Sequence, residues 1–99
     1  MNYTLKALDI FKEQIEKLDE KSKRIIKNKI DLIKFNPYRY KRIHSNLFSK
    51  VFRIRLTINN KENRLIYVVL EPNIILVCLL DREKDYKDLE KYLSKIKKI

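Results

Sequence analysis

The chain has 99 residues, 44% of them hydrophobic and 37% charged, with a net charge of +11, one cysteine and no glycine. That length and apolar share fit one folded domain around a single core and exclude a disordered tail or a multidomain enzyme. No apolar run approaches the roughly 20 residues of a membrane span, and the missing glycine excludes the Gly-rich phosphate loops.

In chain order, "NYTLKAL" alternates and predicts a short first strand. Asp9 is placed to cap a helix whose apolar face is Phe11, Ile15 and Leu18. "LDEKSK" interrupts that helix, and a second follows with Ile26, Ile30 and Ile33 on one side. "FNP" ends it, because the residue before proline leaves the helical region and Pro37 cannot continue the ladder. So short a joint between the helices predicts an antiparallel pair. From Ile43 the period becomes two, and "KVFRIRLTI", "NRLIYVVL" and "NIILVCLL" predict three strands. An Asn-rich turn and "EPN" join them as antiparallel hairpins. The last two strands are nearly all apolar and belong at the sheet centre, covered on both faces. "DREKDYKDLEKYLSKIKKI" predicts a closing helix with Tyr86, Leu89, Leu93 and Ile96 on one stripe. The expected order β-α-α-β-β-β-α is an α+β fold in one domain, residues 1–99. Its mainly antiparallel sheet carries the helix pair on one face and leaves the other available for Arg53 and Arg55.

The charge is concentrated. Residues 21–64 hold fourteen Lys or Arg against only Asp31 and Glu62, while the segments on either side are close to balanced. A localised basic surface draws polyanions and speeds their encounter. The simpler alternative is a Lys-rich composition that keeps the protein soluble.

Several chemistries fall away. Cys78 lies in "IILVCLL", where a thiol acts as a small buried apolar group, and one cysteine forms neither an internal disulfide nor a zinc cluster. Together with an N-terminus lacking the signal-peptide pattern, this points to a reducing, cytoplasmic setting. The one histidine, His44, reads as a turn or surface residue, and no triad-like arrangement accompanies it. Asp81, Glu83 and Asp85 suit a solvated helix start rather than a metal site. No metal or cofactor is expected.

What remains is a set of arginines. Strand parity puts Arg53 and Arg55 on one face, about 6.5 to 7 Å apart along the strand, with Arg64 across the hairpin. Arg82 and Tyr86 lie where the last strand gives way to the helix. Arginine suits phosphate, because its planar fork donates two parallel hydrogen bonds and stays charged. Spacing alone leaves two readings open: solvated arginines on an exposed face, or a phosphate site.

"KLDEKSKRIIKNKIDLIKFNP", "FRIR", "NRLIYVV" and "IILVCLLDREKDY" together resemble the RelE/ParE toxin superfamily, in element order and over nearly the whole chain. The resemblance implies a toxin of a type II toxin–antitoxin pair. A RelE-like member cleaves mRNA on the ribosome without a metal; a ParE-like member inhibits DNA gyrase instead, and a basic nucleic-acid-binding α+β domain without turnover is the third reading. Carried over by position, Arg53, Arg55, Arg64 and Arg82 are the catalytic cations, and Tyr86 is the tyrosine that stacks on a base. Lys41, Arg42, Lys50 and Lys84 are further cations expected to hold RNA. The best-known RelE-like pattern has lysines where Arg53 and Arg55 stand. Arginine keeps its proton, which leaves Lys84 or Tyr86 to serve as base if the surrounding arginines lower its pKa, or else the ribosomal RNA and substrate geometry to do most of the work. The implied partners are an antitoxin with an acidic segment over the basic face, the ribosome and mRNA.

Overall fold

The computed structural model describes residues 2–81 and 88–98. Strand β1 (Thr4–Ala7) leads into helices α1 (Asp9–Glu16) and α2 (Glu20–Phe35), and strands β2 (Lys41–Ile43), β3 (Val51–Ile58), β4 (Lys61–Leu70) and β5 (Asn73–Asp81) follow. Helix α3 (Leu89–Ser94) runs on into a 3₁₀ turn, Lys95–Lys98. The strands form one sheet in the order β1-β5-β4-β3-β2, with β1 parallel to β5 and every other pair antiparallel. The α+β class, the helix pair and the central place of β4 and β5 are as the sequence predicts.

The local chemistry explains most boundaries. Asp19 precedes α2 in extended conformation and accepts a hydrogen bond from the Ser22 backbone N–H at 2.8 Å. The hydrogen bonding to Ser22 holds the Asp19 carboxyl below its ordinary 3.8. This cap therefore acts at pH above that value and is lost as the pH falls through the lowered one. The β3–β4 turn is Asn59–Asn60, with φ of 49° and 65°. Two central residues at positive φ make the tight hairpin turn whose twist matches the strands, and asparagine tolerates that region best after glycine.

Three details differ from expectation. Leu8, not Asp9, sits at the α1 N-cap, and no side chain caps it. Leu8 is buried and its N–H donates to Leu76 O, so this position serves the sheet and the core first. β2 adds a fifth strand: Lys41, Arg42 and Ile43 pair with Arg53, Phe52 and Val51. Three residues are too few to show a period. Asp81 ends β5 rather than starting a helix, and the described helix begins at Leu89.

Two apolar layers sandwich the sheet. On one face Phe11, Ile26 and Ile33 pack on Phe52, Ile54, Leu56, Leu65, Tyr67 and Val69. On the other, Leu89, Leu93 and Ile96 pack on Val51, Ile66, Val68, Val77 and Cys78. The face expected to be open is thus partly roofed by α3. β5 serves both layers through a bulge: Ile66 pairs with Cys78 but Tyr67 with Leu76, so Val77 is the extra residue. Val77 and Cys78 both face the α3 layer, which resets the alternation for Leu79 and Leu80. Beyond the end of β1, the Gln14 side chain continues the sheet edge. Its Nε2 donates to Leu79 O at 3.0 Å and its Oε1 accepts from Leu79 N–H at 2.7 Å.

Cys78 is fully buried, and burial pushes its thiol up to about 12. The thiolate is the reactive form, so a thiol reagent at neutral pH should label Cys78 only when denaturant opens the core. Labelling of the native protein at the rate of a free thiol would contradict this packing.

Candidate active site

The arginines owe their positions to the two-residue turn. With Asn59–Asn60 at its tip, Ile58 pairs with Lys61, and Arg55 then falls directly opposite Arg64. Opposed residues of an antiparallel pair have Cβ atoms about 4.5 to 5.5 Å apart. Two cations are thus held side by side on one face. Arg53 shares that face, two residues along β3, in a row that runs Lys41, Arg53, Ile66, Cys78 across four strands. Leu80 stands opposite Arg64 on β5.

Like charges so placed repel unless something lies between them. Glu62 is the nearby opposite charge. It pairs with Thr57, which puts it on the arginine face, and its Oε1 is 3.9 Å from Arg55 Nε. The Glu62 side chain is 29% exposed and that of Arg55 58%, so the glutamate is the more buried of the two. Arg53 and Arg64 are half-buried, and the Arg64 Nε is enclosed by protein. The site therefore has a partly desolvated floor and an open mouth at Arg55. Lower local dielectric strengthens each interaction with an anion placed there.

Beside the arginines lies a cleft of about 310 Å³ lined by Gln14, Asn63, Leu79, Leu80, Asp81 and Tyr92, among others. Asn63 is the neighbour of Arg64 on β4, and Leu80 is its partner on β5. The cleft opens at the ends of β4 and β5 between Gln14 of α1 and Tyr92 of α3, and Arg53, Arg55 and Arg64 do not line it.

The expected site residues divide into three groups. Arg53, Arg55, Arg64 and Lys41 come together on one face. Arg42 and Lys50 do not join them. Arg42 pairs with Phe52, so it lies on the helix-pair face, where its guanidinium stands 6.0 Å over the Phe52 ring and its Nε donates to Ser49 O. Lys50 stands 5.7 Å over the Tyr38 ring, which packs edge-on against Phe52. These two cations are parked on aromatic faces across the sheet from the arginine pair. Arg82, Lys84 and Tyr86 lie outside the described residues. His44 is exposed between β2 and β3, as its surface reading expects. No group of three or more His, Cys, Asp or Glu able to hold a metal occurs among the described residues. Nor is any described helix long and apolar enough to cross a membrane.

Glu62 received no role from the sequence, although it is one of only two acidic residues between positions 21 and 64. The turn length was the available signal: a two-residue loop at Asn59–Asn60 fixes Thr57 opposite Glu62 as firmly as Arg55 opposite Arg64.

No protein-family profile and no curated protein matches the sequence. Solved structures do match its shape. An E. coli RelE toxin with two arginines changed to alanine, in the free state, superposes with a TM-score of 0.70 at 17% identity, over 100% of this chain and 99% of that one. The chain has the RelE toxin fold. The isolated E. coli RelE toxin gives a TM-score of 0.65 at 15% identity, over 95% of this chain and 98% of that one. The intact E. coli RelBE toxin–antitoxin complex gives 0.67 at 15% identity, over 83% and 99%. At such identity the shared RelE fold is a matter of backbone path, and the chemistry rests on the residues this chain places on it.

Proposed function

We propose that this protein is the toxin of a type II toxin–antitoxin pair, a cytoplasmic endoribonuclease that cuts mRNA on the ribosome without a metal and is neutralised by an antitoxin. The observation that carries this reading is the direct opposition of Arg55 and Arg64, with Arg53 on the same face. A protein that only needs a basic surface gains nothing from forcing two guanidinium groups together. A phosphodiester between them turns that repulsion into two charge-assisted contacts.

In the reaction, the ribose 2′-oxygen attacks the adjacent phosphorus and the 5′-oxygen leaves. The products are a 2′,3′-cyclic phosphate and a 5′-hydroxyl. Negative charge builds on the non-bridging oxygens, where Arg55 and Arg64 meet it, with Arg53 steering the neighbouring phosphate. Fixed donors of this kind typically contribute about 10² to 10³ each in rate. Holding the mRNA so that the attacking and leaving oxygens are in line adds a comparable effect. In this reading Arg82 adds a fourth cation and Tyr86 stacks on a base, both by resemblance to the RelE pattern. Lys41 extends the basic row along the RNA. The antitoxin presents an acidic segment to this face and neutralises it. The E. coli RelBE toxin–antitoxin complex, by likeness of fold, supports an antitoxin as partner.

The test is direct. Purified protein is added to translating ribosomes, and mRNA ends are mapped. New ends at defined codon positions are expected, suppressed by the protein encoded beside this gene. Intact transcripts together with blocked DNA supercoiling would replace this reading with gyrase inhibition of the ParE kind.

A further inference from the structure

The arginine floor can stabilise a transition state but cannot begin the reaction, because guanidinium groups hold their protons at any physiological pH. Something must take the proton of the 2′-hydroxyl. Glu62 is a proton acceptor that faces this floor and approaches one of its arginines. Glu62 lies on the same face as Arg55 and Arg64, two residues from Arg64 along β4, with its Oε1 3.9 Å from Arg55 Nε. We infer that Glu62 is the general base of the cleavage, a role that rests on the toxin reading above.

The geometry supports this. A phosphodiester held between Arg55 and Arg64 places its 2′-oxygen about 3 to 3.5 Å from phosphorus in the near-attack arrangement. Glu62 is one step of about 6.5 to 7 Å farther along the strand, and a glutamate side chain spans most of such a gap. A base has to come within about 2.6 to 3.2 Å of the oxygen it deprotonates. The arginines order the acceptor as well as the substrate. Arg55 holds the Glu62 carboxylate at the edge of the phosphate position, and the half-buried setting of Glu62 shields it from bulk water.

The step balances. Glu62 accepts the proton of the 2′-hydroxyl as the bond from that oxygen to phosphorus forms. The bond from phosphorus to the 5′-oxygen breaks, and the departing oxygen takes a proton from solvent. Glu62 then returns its own proton to solvent, leaving the enzyme as it began.

A plain counter-ion to Arg55 would occupy the same place, so the test separates the two roles. Glu62→Gln, Glu62→Asp and Lys84→Ala are each assayed for cleavage on translating ribosomes, for binding to an mRNA carrying a 2′-O-methyl group at the cleavage position, and for melting temperature. As the base, Glu62→Gln lowers the cleavage rate by about 10² to 10⁴, while binding of the blocked mRNA is unchanged or tighter. Glu62→Asp keeps a carboxylate and recovers part of the rate. Lys84→Ala, which removes an expected RNA-holding cation, lowers cleavage only in step with its weaker binding of the blocked mRNA. Wild-type cleavage by Glu62→Gln overturns the inference and leaves Glu62 a counter-ion, with the toxin reading intact. Loss of cleavage in Lys84→Ala with activity retained in Glu62→Gln overturns it in favour of the lysine. Loss of blocked-mRNA binding by Glu62→Gln in parallel with cleavage also overturns it, since that pattern marks a binding or folding role. Failure of the wild-type protein to cut any mRNA removes the toxin reading and this inference together.

Discussion

Arg64→Ala should lower ribosome-dependent mRNA cleavage by about 10² to 10³, the largest loss expected from any single described arginine. Arg64 stands directly opposite Arg55 on β3 and is backed by Leu80 on β5, and its Nε is enclosed by protein. Arg55 is more exposed and leans on Glu62, so its geometry is less constrained. On the toxin reading, removing Arg64 also removes one phosphate contact. The salt dependence of single-stranded RNA binding should therefore flatten by about 0.7 in the log–log slope. Arg64→Lys retains charge but not the planar fork, and should recover only part of the rate. Mapped mRNA ends and a salt titration of RNA binding check both effects. Cleavage at the wild-type rate in Arg64→Ala would show that the arginine pair is not where the phosphate reacts.

The second large effect concerns stability. Tyr67 is fully buried at the centre of the sheet, stacks on Phe52 with ring centroids 5.5 Å apart, and donates from its hydroxyl to Pro37 O at 2.6 Å. It ties the segment after α2 to the middle of β4. Tyr67→Ala should cost about 3 to 5 kcal/mol, a large share of the ~5 to 15 kcal/mol that holds a domain of this kind together. Tyr67→Phe isolates the hydroxyl and leaves the Pro37 carbonyl without that donor, for about 1 to 3 kcal/mol. Burial raises the Tyr67 phenol above its ordinary 10.0, so its contribution is complete below that value and fails as the pH rises through the raised one. Urea titrations of the three proteins at neutral pH measure the differences. An unchanged midpoint for Tyr67→Ala would mean that the core does not depend on this ring.

How far the sequence shows this architecture depends on which physical signal each element leaves. β3 shows plainly, because Phe52, Ile54, Leu56 and Ile58 alternate with polar residues and one face is buried. β4 and β5 show as apolar runs because both layers cover them. β2 leaves no signal, since an edge strand of three residues needs no pattern of its own. The cap of α1 misleads because Leu8 is claimed by β5 and the core. In the site, parity places Arg53 and Arg55 correctly, but the same rule read in "YKRIHS" does not reveal that Arg42 faces away from them. Its side depends on which residue of β3 it meets, and the long connection between β2 and β3 does not fix that register. Glu62 is the reverse case: its place follows from the length of the Asn59–Asn60 turn, a signal in the sequence that charge counting alone passes over.

The extra residue at Val77 makes the length of β5 a matter of odd and even. Exchanging one apolar side chain for another along the strand leaves every neighbour on its own side of the sheet. Losing or gaining a single residue after Cys78 turns Leu80 away from Arg64 and takes Leu79 out of the grip of Gln14. β5 is therefore free to drift in composition but not in count. Relatives whose strand differs by one residue must restore the parity within the strand, by placing or removing a bulge, if the floor beside Arg64 is to survive.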